Sequence, residues 1–512
     1  MKKLTFLTRI SLLLAVFFAL DKGLAIFRQV YIARQFVLPD QDVFNVANNI
    51  PDLISALISG GALAIAFTPV LSSLLTVEGK AAAWDVFSRV ANLAFLATGG
   101  LAILVSALAW PLVHFGIAPG LPVEQQSKVV ELMRLDLVAT VIFSISGLIM
   151  SGLQANQHFF LPAMAPLLYN LGQIFGAVIL APEQGFHLGP VTLPAFGMGV
   201  HGLVYGVIIG ALFHLLIQVP GLLKYHFKWT PKIGLNNPGV RQSLGLLGPR
   251  IITMLFIQFI FLARDSLASF SGAGAISALT YGWMILQVPE TLIGTAIGTA
   301  LLPTLSEQVA RKDWQSFKQT IERSVQVLLA ITLPLTVILG LALQPLVSLA
   351  FGPRFQGDQM KVLMGVVQAF LAGLAGQSLL EVAVRSFYAQ KNAIIPLLVS
   401  GLNAAVFLGL ALLLRPVFGT VGIAVALSLA YTGEAVLLFI LLNVRLSIKL
   451  SFVSTLIRGL LAAVVGGGLV WVIMNGISLP LPSYGLSILG LAAGAAISLP
   501  LIWREMRLLL RL

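Results

Sequence analysis

The chain has 512 residues, of which 58% are hydrophobic and only 10% are charged, with a formal net charge of +12 and no cysteine. Soluble domains average about 45–50% apolar and about 25% charged residues, so this composition excludes an ordinary soluble protein and predicts a polytopic membrane protein. The lack of cysteine excludes disulfides, thiolate metal sites and cysteine nucleophiles. The basic residues lie in loops between apolar runs and not on one soluble domain, which argues against nucleic-acid binding.

The apolar runs predict an all-α protein. The first run resembles a signal peptide, but no small-residue cleavage site follows and the run continues past Lys22, so we interpret it as a retained helix. A membrane span needs roughly 20 mostly apolar residues. About fourteen segments satisfy this requirement: 8–36, 42–75, 84–116, 124–154, 159–182, 198–224, 238–270, 274–304, 316–352, 358–390, 393–415, 418–444, 452–475 and 483–503.

The distribution of lysine and arginine predicts the orientation of these spans. One set of alternate loops, together with both termini, carries most of the basic residues. The opposite loops carry little beyond Arg354, Lys361 and Arg415. By the positive-inside rule, we expect both termini to be cytoplasmic, which agrees with an even number of spans.

Three pairs of segments indicate an internal repeat. GGALAIAFTPVLSSLL (60–75) matches GTAIGTALLPTLSEQV (294–309), and LQANQHFFLPAM (153–164) matches FYAQKNAIIPLL (387–398). The shared prolines of both pairs are 234 residues apart, whereas GVHGLVYGV (199–207) and GTVGIAVAL (419–427) are 220 apart. We therefore expect two equivalent six-helix bundles followed by two further helices.

This repeat divides the chain into four parts: an N-terminal lobe 1–224, a cytoplasmic linker 225–240, a C-terminal lobe 241–447, and a segment 448–512 with helices 13 and 14 and a cytoplasmic tail. Each lobe crosses six times, so the two copies share one orientation. Parallel repeats of this kind are typical of transporters, with the substrate site near mid-membrane between the bundles. The predicted architecture is therefore two pseudo-symmetric bundles around a central cavity.

Charged residues lie deep inside the first span. At 100° per residue, Asp21 and Arg28 fall within about 20° of each other, and Lys22 lies on a neighbouring stripe. A charge facing lipid costs about 2.5–3.5 kcal/mol on the insertion scale, so these residues should face protein or a water-filled cavity. In the seventh span, Arg264 lies fourteen residues after Arg250 and so on nearly the same face.

These bases predict an anionic substrate, because guanidinium groups suit the oxygens of phosphate. The predicted substrate-binding residues are Lys22, Arg28, Asn49, Arg250 and Arg264. Arg250 could instead mark the cytoplasmic end of its helix. The six histidines show no ligand spacing, so no metal site is predicted, and nothing in the sequence indicates a cofactor.

A second group of charged residues is predicted to balance charge or to take part in gating. It consists of Asp21, Asp42, Asp265, Glu290, Glu381 and Arg385. Simpler interpretations remain open. Glu381 and Arg385 are four residues apart and suit a structural ion pair. Glu290 could only hydrogen-bond a neighbouring helix, and Asp21 and Asp265 could simply neutralise the adjacent bases.

Four segments in a fixed order carry a resemblance to a known family: Ile50-Pro51-Asp52-Leu53 through Thr68-Pro69, Asn156 through Asn170 with Pro162 and Pro166, Gly298-Thr299 through Leu305-Ser306, and Phe387-Tyr388-Ala389 with Pro396. Along essentially its whole length, the chain resembles the MurJ (MviN) lipid II flippases of the multidrug/oligosaccharidyl-lipid/polysaccharide exporter superfamily. The resemblance implies transfer of undecaprenyl-pyrophosphate-linked peptidoglycan precursor from the inner to the outer leaflet of the bacterial cytoplasmic membrane by alternating access.

The resemblance also implies a cationic cavity and a groove along helices 13–14 for the lipid tail. Arg28 matches a cavity arginine of the family, and Lys22 stands in place of another. Ser55 and Met284 occupy positions where relatives carry further arginines, and we hypothesise that Arg264 compensates for them. The implied partners are lipid II or a similar glycolipid and membrane lipid, with cell-wall synthesis proteins as candidate protein partners.

Two other functions remain as alternatives. The first is a cation-coupled exporter of drugs or of another polyprenyl-linked oligosaccharide, against which the deep bases argue if the cargo is a cationic drug. The second is a membrane enzyme that acts on polyprenyl phosphates. The chain has no adjacent pair of aspartates to support that chemistry. We therefore expect a transporter, not an enzyme.

Overall fold

The computed structural model of the chain describes residues 6–59, 62–446, 452–476 and 480–509. In a bilayer, backbone N–H and C=O groups find no water to bond, so long apolar runs fold as helices that satisfy these groups internally. The described strands are β1 (His187–Leu188) and β2 (Val191–Thr192), an antiparallel pair that places His187 opposite Thr192. This small hairpin lies in the long loop between two helices.

The first half of the chain contains ten helices in the described part. They are α1 Phe6–Gln35, α2 Leu38–Ile54, α3 Ala62–Val77, α4 Lys80–Ala107, α5 Ala109–Pro111, α6 Val123–Ala155, α7 Phe160–Phe175, α8 Val200–Leu216, α9 Val219–Lys224 and α10 Pro238–Ala268. π-helical turns follow α2, α5 and α7, at Ser55–Ser59, Leu112–Ile117 and Gly176–Leu180.

The second half continues with eight helices in the described part. They are α11 Ala275–Glu290, α12 Ala296–Ala310, α13 Trp314–Phe351, α14 Asp358–Ala372, α15 Leu374–Ala389, α16 Ile394–Leu446, α17 Val453–Asn475 and α18 Ser483–Leu509. A π-helical turn, Thr291–Thr295, joins α11 to α12, and short 3₁₀ turns occupy Ser269–Ser271 and Gly352–Arg354.

Eleven helical stretches in the described part are long and apolar enough to cross a membrane. One of them, Ile394–Arg445, covers the two predicted spans 393–415 and 418–444, because Gly419, with φ 57°, breaks α16 close to Pro416. The predicted spans 8–36 and 42–75 are not among the eleven. The predicted all-α polytopic fold is confirmed, and the number fourteen stays a prediction.

The two halves repeat local backbone geometry at the spacings found in the sequence. Gly199 has φ 55° and ψ −136°, and Gly419, 220 residues later, has φ 57° and ψ −136°. Gln157 and Lys391, which are 234 residues apart, have φ 58° and 57°. A π-helical turn also precedes both α3 and α12. The sequence repeat is therefore a repeat of local structure.

The chain forms two compact units, Met1–Leu262 and Ala263–Leu512. In the first, α6 packs against α2, α3, α4 and α8, around a core that includes Phe67, Trp84 and Phe87. In the second, α15 packs against α12, α13 and α16, and α13 also packs against the two final helices, α17 and α18. The predicted limits of the lobes and linker stay a prediction.

Close packing of α7 on α8 fixes the position of the polar residues on α7. Gly172 of α7 faces Gly210 of α8, and Gly176, the first residue of the π-helical turn after α7, faces Gly206 of α8. A methyl group at Gly172 would lie 2.3 Å from the Gly210 Cα, so only glycine permits this approach. Small residues at such positions let membrane helices meet backbone to backbone.

Candidate functional site

A hydrogen-bonded bridge joins α1 to α7. The Nη1 of Arg28 donates to the Oδ1 of Asn170 over 2.9 Å, and the Nδ2 of Asn170 donates to the Oδ1 of Asp21 over 2.7 Å. The Asn170 side chain is buried and Arg28 is half-buried. Asp21 and Arg28 therefore share one face of α1, as their seven-residue spacing predicts, and a single neutral amide contacts both.

Further acidic residues surround this bridge. Asp52 of α2 and Tyr169 of α7 act electrostatically on Arg28, and Asp136 of α6 interacts with Asp52. The Asp136 side chain is 3% exposed, and its Oδ1 has no hydrogen-bond partner among the described residues. The bridge and its surroundings thus bring one arginine together with three carboxyl groups.

Some of these residues were not predicted as site residues. Asp136 is an acidic residue inside an apolar span, which is a signal that the sequence offers and that our interpretation did not use. Asn170 and Asp52 belong to the segments that carry the family resemblance, but their contacts were not predictable from that alone. Asn49, a predicted binding residue on α2, has a buried Nδ2 with no described hydrogen-bond partner.

The remaining predicted residues of the first unit occupy different surroundings. Lys22 is exposed on α1, and no described contact joins it to the Asn170 bridge. Asp42 is buried near the start of α2. Beside it, the Nε2 of Gln41 donates to the carbonyls of Ala33 and Phe36, which fixes the turn from α1 to α2. The roles predicted for Lys22 and Asp42 stay predictions.

In the second unit, Arg264 is paired with its neighbour in sequence. The Nε of Arg264 lies 2.7 Å from the Oδ1 of Asp265, and the two residues are 5% and 2% exposed. The interpretation in which Asp265 neutralises the adjacent base is confirmed. Binding of substrate by Arg264 stays a prediction. The side chain of Arg250, which we predicted to bind substrate, lies outside the described part of the structure.

Glu290, Glu381 and Arg385 lie on helices that pack together. Arg385 pairs with Glu381 one turn earlier on α15, which confirms the predicted ion pair. The Thr295 hydroxyl donates to the Oε1 of Glu290 over 3.0 Å, and Glu290 interacts electrostatically with Arg385. A Cβ at Gly298 would lie 3.1 Å from the Glu381 Cβ, so the glycine of α12 permits this close packing. The gating roles stay predictions.

A second buried polar cluster lies within α16. Glu434 accepts hydrogen bonds from the Ser400 hydroxyl over 2.6 Å and from the Asn403 amide over 2.7 Å. These two donors precede the break at Gly419, and Glu434 follows it. Sequence reasoning did not predict Glu434 as a site residue, although a glutamate within an apolar span was the available signal.

Sequence comparisons with known proteins agree on one family. The family model described as "Lipid II flippase MurJ" matches residues 36–492. A curated "Lipid II flippase MurJ" from Burkholderia cenocepacia is 27% identical over 457 residues, which cover 86% of this chain and 84% of that protein. A "Probable lipid II flippase MurJ" from Rhizobium tropici is 29% identical, covering 80% of this chain and 75% of the relative.

Solved structures show the same fold. "Lipid II flippase MurJ, inward closed conformation" aligns with a TM-score of 0.81 at 19% identity, covering 98% of this chain and all of that one. An inward-facing multidrug resistance MATE family transporter of the MOP superfamily aligns with a TM-score of 0.69 at 13% identity, covering 83% of this chain and 94% of the transporter. Because the family model spans most of the sequence, the chain belongs to the MurJ lipid II flippase family.

Proposed function

We propose that this chain flips lipid II, the undecaprenyl-pyrophosphate-linked peptidoglycan precursor, from the inner to the outer leaflet of the cytoplasmic membrane. The observation that carries the proposal is the match to the lipid II flippase family over residues 36–492. The apolar helices of the described part agree with a multi-pass membrane protein. Both termini are cytoplasmic in this proposal, and lipid II relocates without chemical change.

Arg28 is the residue that we assign to the pyrophosphate. Its Nη1 donates to a neutral amide acceptor, the Oδ1 of Asn170. A phosphate oxygen carries negative charge and the amide oxygen does not, and arginine–phosphate pairs frequently form two parallel hydrogen bonds, so phosphate is a better acceptor for this guanidinium than the amide. The guanidinium offers five N–H donors in a fixed plane, which allows one phosphate group to accept two of them.

Exchange of partners at Arg28 gives a way to couple binding to helix movement. When phosphate replaces the amide, Asn170 loses one of its two bonds to α1 and keeps the bond to Asp21. The link between α1 and α7 is then weaker. A ligand shifts a conformational equilibrium by its difference in affinity for the two states, so substrate would favour the state in which α1 and α7 separate.

Substitution of Arg28 tests this function. In a bacterium depleted of its own lipid II flippase, we expect wild type to restore growth, Arg28→Ala to fail, and Arg28→Lys to restore growth partly, because lysine keeps the charge but not the planar donor geometry. Arg311→Ala is the matched control, since Arg311 pairs with Glu307 at an exposed helix end. All variants must be present in the membrane at equal levels.

The same variants are then tested in proteoliposomes with fluorescent lipid II. Wild type and Arg311→Ala should move the lipid between leaflets, and Arg28→Ala should lose at least about tenfold in rate, equivalent to 1.4 kcal/mol. Recovery of unchanged lipid II excludes an enzyme that converts it. Full growth and full flipping by Arg28→Ala would refute the role of Arg28, and absence of flipping by wild type would refute the function itself.

A further inference from the structure

Glu434 lies well inside a helical stretch that is long and apolar enough to cross a membrane. The two parts of α16 are separated by Gly419, and Glu434 lies fifteen residues beyond that break. At 1.5 Å per residue, this is about 22 Å along the helix. The hydrocarbon core is about 30 Å thick. Ser400 and Asn403 reach Glu434 from the part of α16 before the break, so the contact joins the two parts of α16 far from the break.

In the described part of the chain, no basic side chain pairs with the Glu434 carboxyl group. The residue is 6% exposed, and both of its hydrogen-bond donors, Ser400 and Asn403, are neutral. Glu505 provides a contrast, because this glutamate is 2% exposed and lies 3.4 Å from the Nη2 of Arg458. A buried ion without a counter-charge is strongly unfavourable, and two neutral hydrogen bonds offset only part of that cost.

Several charged groups on the helices around Glu434 pair with residues other than Glu434. Within α16 itself, Tyr431 is the titratable neighbour of Glu434, and Trp283 of α11 packs on the Tyr431 ring at 6.0 Å. From α10, Arg264 acts electrostatically on Tyr431 and forms its ion pair with Asp265.

The other two helices that pack on α16 bring charges that are paired within their own helix. On α15, Glu381 pairs with Arg385, and on α14, Asp358 pairs with Lys361 at the exposed start of the helix. None of these four residues forms a described contact with Glu434.

A second observation concerns Asn403. Its side chain is 4% exposed, and its Oδ1 has no hydrogen-bond partner in the described part of the chain, although its Nδ2 binds Glu434. An amide can present either its donor or its acceptor to the same neighbour by rotating, and a serine hydroxyl can also donate or accept. The unused Oδ1 could thus accept a hydrogen bond from a protonated Glu434, whereas Nδ2 serves the ionised form.

We propose that Glu434 is a proton-binding site that loads and unloads during transport. The carboxylate takes one proton from water at one membrane face and returns it to water at the other, so that only an O–H bond forms and breaks. Protonation neutralises the Glu434 carboxylate, so that one state of the transport cycle contains no buried unpaired charge at this position. Ser400 and Asn403 accompany the change by exchanging donor and acceptor roles. The link to transport rests on the proposed function, whereas the binding of the proton does not.

The internal repeat allows Glu434 to be compared with the equivalent residue of the first half. The residue 220 positions earlier is His214, which also lies in a buried polar cluster: its Nδ1 is 2.6 Å from the Ser146 hydroxyl, to which the Nε2 of Gln218 donates over 2.9 Å. An unprotonated histidine is neutral. At this repeat position, therefore, the second half carries an acid and the first half does not.

Infrared difference spectroscopy on the purified full chain tests proton binding without lipid II. We expect wild type to show a protonated-carboxyl band that titrates with pH and that is absent from Glu434→Gln. Glu505→Gln is the matched control, since Glu505 has a basic partner, and it should keep the band. Asn403→Leu removes the amide that is proposed to serve both forms of the carboxyl group, so the titration midpoint of the band should differ from that of wild type. A spectrum unchanged by Glu434→Gln would overturn the proposal.

Transport assays separate this inference from the proposed function. In proteoliposomes, wild-type flipping of lipid II should change with an imposed pH gradient, whereas Glu434→Gln should flip at a rate that the gradient no longer alters. If the variant responds to pH as wild type does, or if added sodium alone replaces the pH effect, the proton site is refuted. If wild type does not flip lipid II but the band still titrates, the proposed function fails and the proton site stands.

Discussion

Gly172 on α7 offers a direct test of the packing that holds the Asn170 bridge. A methyl group at this position would lie 2.3 Å from the Gly210 Cα and 2.4 Å from the Gly210 nitrogen. Because carbon atoms pack at about 3.5–4.0 Å, the two helices would have to separate by more than about 1 Å. The contacting atoms are backbone and cannot move aside as a flexible side chain would.

We expect Gly172→Ala to destabilise the protein by about 2 kcal/mol. Overpacking costs about 1–3 kcal/mol, and backbone contact places this site at the upper end. The higher helix propensity of alanine returns about 0.8–1.0 kcal/mol. At an unfolding entropy of about 2.1 cal/mol/K per residue, 1 kcal/mol corresponds to roughly 1 °C in Tm for a chain of 512 residues, so we expect a decrease of about 2 °C. Since Asn170 is two residues away, flipping should decrease as well.

Melting followed by intrinsic tryptophan fluorescence measures this effect, because the chain has seven tryptophans. Gly100→Ala in α4 is the matched control: a Cβ there meets no atom within 4 Å, so its Tm should stay the same or rise. Equal melting of Gly172→Ala and Gly100→Ala would refute the inferred close contact between α7 and α8.

Three further predictions concern single positions. Asn170→Leu removes two hydrogen bonds to charged partners, each worth about 1.5–3 kcal/mol. Both Tm and the rate of flipping should therefore decrease. Unchanged values would show that neither stability nor flipping needs the Asn170 bridge. Gly419→Ala places a side chain at φ 57° and ψ −136°, a region that is nearly restricted to glycine, which costs about 1–3 kcal/mol and should lower Tm. Gly409→Ala, with equally open surroundings in the same helix, should not lower it. A hydrogen bond from the Ser316 backbone N–H lowers the pKa of Asp313 below its ordinary 3.8. The stabilising contribution of the Asp313 carboxylate is therefore complete above pH 3.8 and is lost as the pH falls through the lowered pKa of the folded state. Wild type and Asp313→Ala should therefore differ in Tm at neutral pH and converge in acid.

Membrane insertion and helical structure were predictable from the sequence. Apolar runs of 20 or more residues can only cross a bilayer as helices, whatever their neighbours, because the backbone must bond to itself. The division of α16 was also predictable, since Pro416 lacks an N–H and Gly419 supplies a conformation with positive φ. The repeat was visible as constant offsets, and the matching dihedral angles of Gly199 and Gly419 follow from it.

The same periodicity predicted that Asp21 and Arg28 share a face of α1, and it correctly paired Glu381 with Arg385. Both results concern residues of one helix. Within a helix the angle between two side chains follows from their separation alone, so local sequence is sufficient.

Contacts between helices were decided only by the tertiary structure. Asn170 lies 142 residues from Arg28, and its amide reaches both charged residues only because α7 is held at one rotation and depth by its glycine contact with α8. A shift of one residue would turn a side chain by 100° and remove the bridge. The same reason explains why the neutral surroundings of Glu434 could not be predicted. Hydrophobic pattern determines that a helix crosses the membrane, whereas close packing between helices determines which polar groups meet.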